Sequence, residues 1–277
     1  MKSVSIGNFN ISNNLPFTFI GGPCAIESLE HSLFMCKKIK DICDKLAINY
    51  IFKSSFDKAN RSSITGKRGV GIEDGLAILS EVRTKFNVPI LTDVHLPNQC
   101  KIVANVADIL QIPAFLCRQT DLLEAAAKTE KLINVKKGQF ISPSDMNNVT
   151  SKLEKFGAKG VMLCERGACF GYNNLVVDFR GLPIMKKNGY PVIFDATHSI
   201  QLPSANGESS GGERKFAPIL ARAAIAVGVA GIFMEVHDVP ENAPCDKESM
   251  VCLSDLELIL TELSDLDEVS KRYKREI

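Results

Sequence analysis

The sequence predicts a (β/α)8 barrel, and three observations predict it. The chain has 277 residues, an ordinary length for one such barrel of roughly 250 residues. Eight short runs are nearly continuously apolar, the pattern of parallel strands buried on both faces. Helical patterns separate those runs, which is the alternation of an α/β fold. An open doubly wound sheet shares the alternation, but no Gly-x-Gly-x-x-Gly follows the first run. No linker, low-complexity stretch or charge block interrupts the chain, so residues 1–277 read as a single domain.

The elements follow in order. Val4–Ile6 and Phe9–Ile11 flank Gly7-Asn8 and are expected to form a short hairpin that plugs the barrel bottom. The eight strand runs are Phe17–Gly21, Tyr50–Ser54, Pro89–Val94, Ile109–Ala114, Leu132–Lys136, Val161–Glu165, Val192–Thr197 and Gly231–Val236. Leu29–Leu46 places Leu33, Ile39, Ile42 and Leu46 at helical spacing, and Ile72–Phe86 does the same with Leu76, Leu79 and Val82. Thr120 stands as N-cap for Asp121–Lys128. Ser142-Pro143 opens a further helix with Pro near its first position. Phe216–Val227 is Ala-rich and stops at Gly228, and an amphipathic stretch runs on from Leu256. The third unit, between Val94 and Ile109, is short; the sixth carries an additional β-like run, Leu175–Phe179.

Composition narrows the function classes. Hydrophobic residues make up 45%, charged residues 23%, and the net charge is +1, so no global field points to nucleic acid or a membrane surface. Residues 1–14 hold one Lys and no apolar core of a secretory signal, and Ala223–Met234 is too short to span a bilayer. Nine scattered cysteines without a Cys-x-x-Cys pair suit free thiols in a reducing cytoplasm.

In a barrel, function sits at the C-terminal ends of the strands. Each strand here delivers a polar group to that rim. Lys53, Lys58, Arg61, Lys136 and Arg166 form a cationic set suited to phosphate and carboxylate, set against the plainer reading of solvated surface charges. Cys24, His198, Glu235 and Asp246 form a candidate metal set, from strands one, seven and eight, which adjoin when a barrel closes. One thiolate, one imidazole and two carboxylates suit Zn2+, Fe2+, Mn2+ or Co2+. His95 and His237 read as hydrogen-bonded supporting groups, and His31 as a helix-surface residue. The Gly/Ser-rich segment Leu202–Lys215 reads as a phosphate-binding loop, a lid, or a loop without structure. Lys136 could also form a Schiff base, although such chemistry has no need of the Cys/His/Glu/Asp set.

At these motifs the sequence resembles the 3-deoxy-D-manno-octulosonate 8-phosphate synthases. The stretches are Gly21-Gly-Pro-Cys-Ala-Ile-Glu-Ser28, Phe52-Lys-Ser-Ser-Phe-Asp-Lys-Ala-Asn-Arg-Ser-Ser63, Gln111-Ile-Pro-Ala-Phe-Leu-Cys-Arg-Gln-Thr-Asp121, Asn134-Val-Lys-Lys-Gly-Gln-Phe140, Phe194-Asp-Ala-Thr-His198 and Ser210-Gly-Gly212. The related 3-deoxy-heptulosonate 7-phosphate synthases carry Lys-Pro-Arg-Thr-Ser where this chain has Lys58-Ala-Asn-Arg-Ser62, which favours arabinose 5-phosphate over erythrose 4-phosphate. The metal-independent branch carries Met-Asn where this chain has Pro23-Cys24, so the resemblance implies a divalent-metal enzyme. Metal-dependent members often read Asp-Gly-Pro where this chain has Asp246-Lys247-Glu248, so the ligand is kept and the turn residues are not.

The resemblance implies a reaction in which C3 of phosphoenolpyruvate joins the aldehyde carbon of arabinose 5-phosphate. Water attacks C2 and phosphate leaves by C–O cleavage. Lys58, Lys136, Asp93 and His198 are then the expected catalytic set. Lys58, Lys136 and Arg166 would bind phosphoenolpyruvate, supported by Lys53 and Gln111. Asn60, Arg61 and Ser62 would hold the sugar phosphate, with Asp93 on its hydroxyls. Arg118 would reach a neighbouring subunit of a homotetramer, in a cytoplasmic pathway to the lipopolysaccharide inner core.

Overall fold

A computed structural model describes residues 2–60, 66–203 and 211–273. Eight strands run parallel: β1 (Thr18–Gly22), β2 (Tyr50–Lys53), β3 (Ile90–Asp93), β4 (Ile109–Ile112), β5 (Leu132–Lys136), β6 (Gly160–Glu165), β7 (Val192–Asp195) and β8 (Gly231–His237). Each pairs with the next in sequence, and β8 pairs back onto β1, with Gly231 opposite Thr18 and Glu235 opposite Gly22. The sheet therefore closes, and no edge among the eight is left open.

The helices are α1 (Leu29–Lys45), α2 (Ile72–Phe86), α3 (Pro97–Val103), α4 (Thr120–Ala127), α5 (Met146–Lys155), α6 (Gly181–Lys186), α7 (Ala217–Val227) and α8 (Leu253–Arg272). Their buried faces meet the outward side chains of the strands, among them Phe19, Phe52, Leu110, Val135, Phe194 and Met234. Thr120 is the first residue of α4, and Gln119 holds the cap position without a side-chain bond. The Thr120 hydroxyl instead accepts from Lys152 Nζ at 2.7 Å, which takes it out of capping. Ser142 caps a 3-10 turn, Pro143–Asp145, that leads into α5. Of the β-like run 175–179, Leu175–Val176 alone is a strand, paired with Ala168–Cys169.

The N-terminal hairpin closes the lower end of the barrel. Val4, Ile6 and Ile11 pack on Ile20, Ile51, Leu91, Ile109, Leu132, Met162, Ile193 and Phe233, the inward residues of the strands' first halves. Gly160 is required there: a Cβ on it would lie 2.6 Å from Leu132 Cδ2 and 3.0 Å from Val4 Cγ1.

Candidate active site

Side chains alternate across a strand, so residues two apart share a face. Two positions beyond the apolar inward layer, the barrel interior turns polar. Ile51 is followed by Lys53, Leu91 by Asp93, Ile109 by Gln111, Leu132 by Asn134 and Lys136, Ile193 by Asp195, and Phe233 by Glu235. All seven polar side chains are buried. Four of the five cations picked out in the sequence, Lys53, Lys58, Lys136 and Arg166, are buried rather than solvated. Arg61 and Ser62 lie outside the described residues, as does 204–210 of the Gly/Ser-rich segment.

Buried charges persist only when paired. Asp93 accepts from Ser55 Oγ and Gln111 Nε2, both at 2.9 Å, and Gln111 in turn accepts from Asn134 Nδ2 at 2.9 Å. Burial works against the Asp93 charge, but Lys53, Lys58 and His95 outweigh it and hold the carboxyl down to about 2. Asp195 pairs with Lys136, accepts from the His198 amide at 2.9 Å, and lies 2.7 Å from His198 Nδ1. Burial opposes ionisation there too, yet His198 and Lys136 keep the carboxyl far below the usual range. Glu235 Oε1 lies 3.2 Å from Lys53 Nζ, 3.4 Å from Lys58 Nζ and 3.6 Å from His198 Nε2. Its other oxygen, Oε2, is buried without a hydrogen-bond partner among the described residues. Arg166 gives Nη2 to Gln201 Oε1 at 2.8 Å, while its buried Nη1 has no partner among the described residues. A guanidinium held dry with an unused donor is a site for an anion.

The metal donors sit beside this layer. The last residue of β1 must be glycine, since a Cβ on Gly22 would meet the Lys53 carbonyl oxygen at 2.2 Å, and just beyond it the Cys24 carbonyl accepts from Lys53 Nζ at 3.2 Å. Val251–Cys252 pairs parallel with Val236–His237, so the loop after β8 folds back over the rim with Asp246 on it. Asp246 takes the left-handed conformation, φ 50°, which Asp tolerates better than most residues. Its carbonyl accepts from Ser249 N and Met250 N, so the turn closes without the Gly-Pro of related sequences.

Cys24 Sγ donates to Asp246 Oδ2 at 3.0 Å, and Gln201 Nε2 donates to Asp246 Oδ1 at 2.8 Å. Two donor triads result, each with its atoms within 4.8 Å of one another: Cys24 with Cys245 and Asp246, and His198 with Glu235 and Asp246. The four ligands expected from the sequence thus fall in two groups that share Asp246. The donor set and the unpartnered Glu235 oxygen fit a borderline-soft divalent cation. Burial, reinforced by Cys245, raises the Cys24 thiol well above its ordinary value, so metal binding there must displace a proton.

Not every expected residue joins this group. Asn60 and Arg118 are exposed, and Arg118 meets Lys152 through its backbone carbonyl alone. Lys137, next to Lys136, is buried on the opposite side of the strand beside Glu165, at 3.4 Å. Asn134, Gln201 and Cys245 were not singled out from the sequence as site residues, and Asp195 was placed at the end of strand seven without a role. Counting back by two from Lys136 finds Asn134, and Asp195 has the same inward register. Gln201 opens a two-residue strand, Gln201–Leu202, paired with Gly211–Gly212, and Cys245 lies in the loop after β8; neither stretch is long enough for a period to mark it.

A closed parallel barrel whose C-terminal mouth gathers buried cations, carboxylates and metal donors defines the class of barrel enzymes that handle small anionic substrates. Within that class, the chain belongs to the DAHP synthetase I family, which it matches over residues 3–272. It is 58% identical over 270 residues to proteins named 2-dehydro-3-deoxyphosphooctonate aldolase from Rickettsia bellii, Rickettsia typhi and Rickettsia prowazekii. The match covers 98% of this chain and 98% of each of those proteins. No helix among the described residues is long and apolar enough to cross a membrane.

Proposed function

We propose that this chain condenses phosphoenolpyruvate with D-arabinose 5-phosphate and water, giving 3-deoxy-D-manno-octulosonate 8-phosphate and phosphate for the lipopolysaccharide inner core. The observation that carries the reading is the buried Arg166, its Nη1 without a partner among the described residues, in a barrel mouth that also holds Lys58 and Lys136. Such a site calls for a small, multiply charged anion, and the name of the Rickettsia relatives says which reaction uses one on this scaffold.

Lys58, Lys136 and Arg166 bind the carboxylate and phosphate of phosphoenolpyruvate and offset charge as phosphate departs. Asp195 holds Lys136 in place, and Lys53 and Gln111 support the same subsite. Asp93, held ionised, accepts hydrogen bonds from sugar hydroxyls. Asn60, Arg61 and Ser62 hold the sugar and its distal phosphate. Cys24, His198, Glu235 and Asp246 hold a divalent ion of the Zn, Fe, Mn or Co type, with Cys245 alongside. When bound, the ion supplies Lewis-acid polarisation of an oxygen. The chain acts as one catalytic domain over residues 1–277, in the cytoplasm, as a homotetramer in which the exposed Arg118 reaches the neighbouring subunit's site.

The test is phosphate release from phosphoenolpyruvate with arabinose 5-phosphate and, separately, erythrose 4-phosphate. Turnover with the five-carbon sugar, lost on chelation and restored by Mn2+, Co2+ or Fe2+, is the expected result. Preference for erythrose 4-phosphate would make the chain a 3-deoxy-heptulosonate 7-phosphate synthase. Full activity after verified metal removal would overturn the metal assignment.

A further inference from the structure

A second group of donors lies on the same rim but shares no residue with the two triads above. His31, expected on the surface of α1, turns inward onto His237 at the end of β8, with ring centroids 4.7 Å apart. Glu27 and Asp238 bracket the two rings. Glu27 Oε1 is 2.7 Å from His237 Nε2 and 3.6 Å from His31 Nδ1. Asp238 Oδ1 faces the opposite nitrogens, 3.1 Å from His31 Nε2 and 3.0 Å from His237 Nδ1. One carboxylate therefore meets one nitrogen of each ring, and the other carboxylate meets the remaining nitrogen of each.

That arrangement is the pattern of an imidazole metal site. Tetrahedral bonds of about 2.0–2.1 Å separate neighbouring donors by roughly 3.3 Å. The Glu27 contacts, 2.7 and 3.6 Å, bracket that spacing, and the three donor atoms of Glu27, His31 and His237 lie within 4.8 Å of one another. His31 Nδ1 is buried, faces Glu27 and has no hydrogen-bond partner among the described residues. Metal-bound imidazoles characteristically give their far N–H to a carboxylate, and Asp238 holds that position for both rings. Glu27 and Asp238 are partly exposed, which leaves an ion a way in.

We propose that Glu27 Oε1, His31 Nδ1 and His237 Nε2 form a second divalent-metal site of the zinc type, with Asp238 orienting both rings. Val239 N donates to His237 Nδ1 at 3.0 Å. Metal at Nε2 moves the ring proton to Nδ1, so that amide bond gives way to one from Nδ1–H to Asp238. The site joins the segment just after Cys24 to the end of β8 just after Glu235, the two stretches that carry donors of the first site.

The test is the Zn2+ content of the full chain after equilibrium dialysis, read for the wild type, His31→Gln, Cys24→Ala and the double variant. About two ions per chain are expected in the wild type, one in each single variant, and fewer than one in the double. Co2+ held by Cys24→Ala is expected to show visible d–d absorption without a thiolate charge-transfer band. Glu27→Gln, altered at a partly exposed position, should weaken the second ion by at least tenfold. A wild type that takes up one ion and keeps it in His31→Gln overturns the proposal, and so does a His31→Gln protein that still holds two. A count lowered by His31→Gln but untouched by Cys24→Ala would instead leave this site standing and remove Cys24 from the ligands of the first one.

Discussion

The lower and upper halves of the barrel interior are built by the same strands and differ completely. Below, Ile51, Leu91, Ile109, Leu132, Ile193 and Phe233 meet the hairpin residues Val4, Ile6 and Ile11 in an apolar layer. Two residues further along the same strands, the layer is Lys53, Asp93, Gln111, Asn134, Asp195 and Glu235, with Lys136 two residues beyond Asn134. One 6–7 Å step along a strand separates a layer that holds the fold from a layer that is costly to bury. The upper charges are tolerated because each is paired, and the pairing leaves unused valences at Arg166 Nη1 and Glu235 Oε2. Those valences have no value to the apo fold; they are where function enters.

The largest expected effect comes from substituting one residue in each layer. Lys136→Ala should lower turnover by about 10³-fold, roughly 4 kcal/mol of transition-state stabilisation. Its cost in stability should stay below the 3–5 kcal/mol of a fully orphaned buried charge. Asp195 keeps Thr197 Oγ1, the His198 amide and the His198 ring. Ile193→Ala should do the reverse. Truncation of a fully buried inner-layer residue costs about 2–5 kcal/mol, while the folded fraction keeps turnover within about twofold. Urea unfolding and steady-state kinetics on both variants check this. Equal losses of activity in the two would mean that the layers are not separable.

The same contrast explains how much was legible in the sequence. All eight strands are near-continuous apolar runs, because their outward faces meet helices and their lower inward faces meet each other. Polar residues at the ends of those runs gave Lys53, Asp93, Gln111, Lys136 and Glu235. Helix α3 was legible only as a short unit, since it has seven residues and buries just Cys100 and Val103, too few to establish a period. Gln201 owes its position to a two-residue strand and Cys245 to the returning loop after β8, neither of which local pattern encodes. His31 was misplaced because its helical position gives its face but not its neighbour: the end of β8, more than 200 residues away, makes that face part of the rim.

A middle-sized effect sharpens the electrostatic side of the comparison. Asp93 titrates near 2, below its ordinary value of 3.8, because Lys53, Lys58 and His95 overcome its burial. A depressed carboxylate contributes stability above the unfolded pKa and loses it as pH falls through the folded one. The contribution is about 2 kcal/mol near neutrality, with roughly half gone by pH 3. Asp93→Asn removes it, so the stability gap between wild type and variant should shrink as pH falls from 5 through 3. Urea unfolding across that range reads the gap. A gap independent of pH would mean that Asp93 acts through its hydrogen bonds with Ser55 and Gln111, and not through its charge.

The smallest effect concerns the one site group whose proton burial holds in place. Cys24 is fully buried, and its thiol lies well above the ordinary value of 9.0. Glu235 is the opposite case: burial opposes its charge, but Lys58, His198 and Lys53 keep it ionised far into acid. At and above neutral pH, metal binding at Cys24 therefore releases the thiol proton and none from Glu235. Affinity should rise tenfold per pH unit, about 1.4 kcal/mol each, up to the thiol's own pKa. Co2+ makes this measurable, since its thiolate charge-transfer band reports ions on sulfur and ignores any ion held by His31 and His237. Titrations against a competing chelator from about pH 7 to 9 should give that slope in the wild type. Cys24→Asn should lose the metal, and with it both band and slope, because the amide offers no thiolate and no proton to release. A wild-type affinity that does not change across this range would show that Cys24 is already ionised or is not a ligand. Retention of the band in Cys24→Asn would assign the sulfur to Cys245.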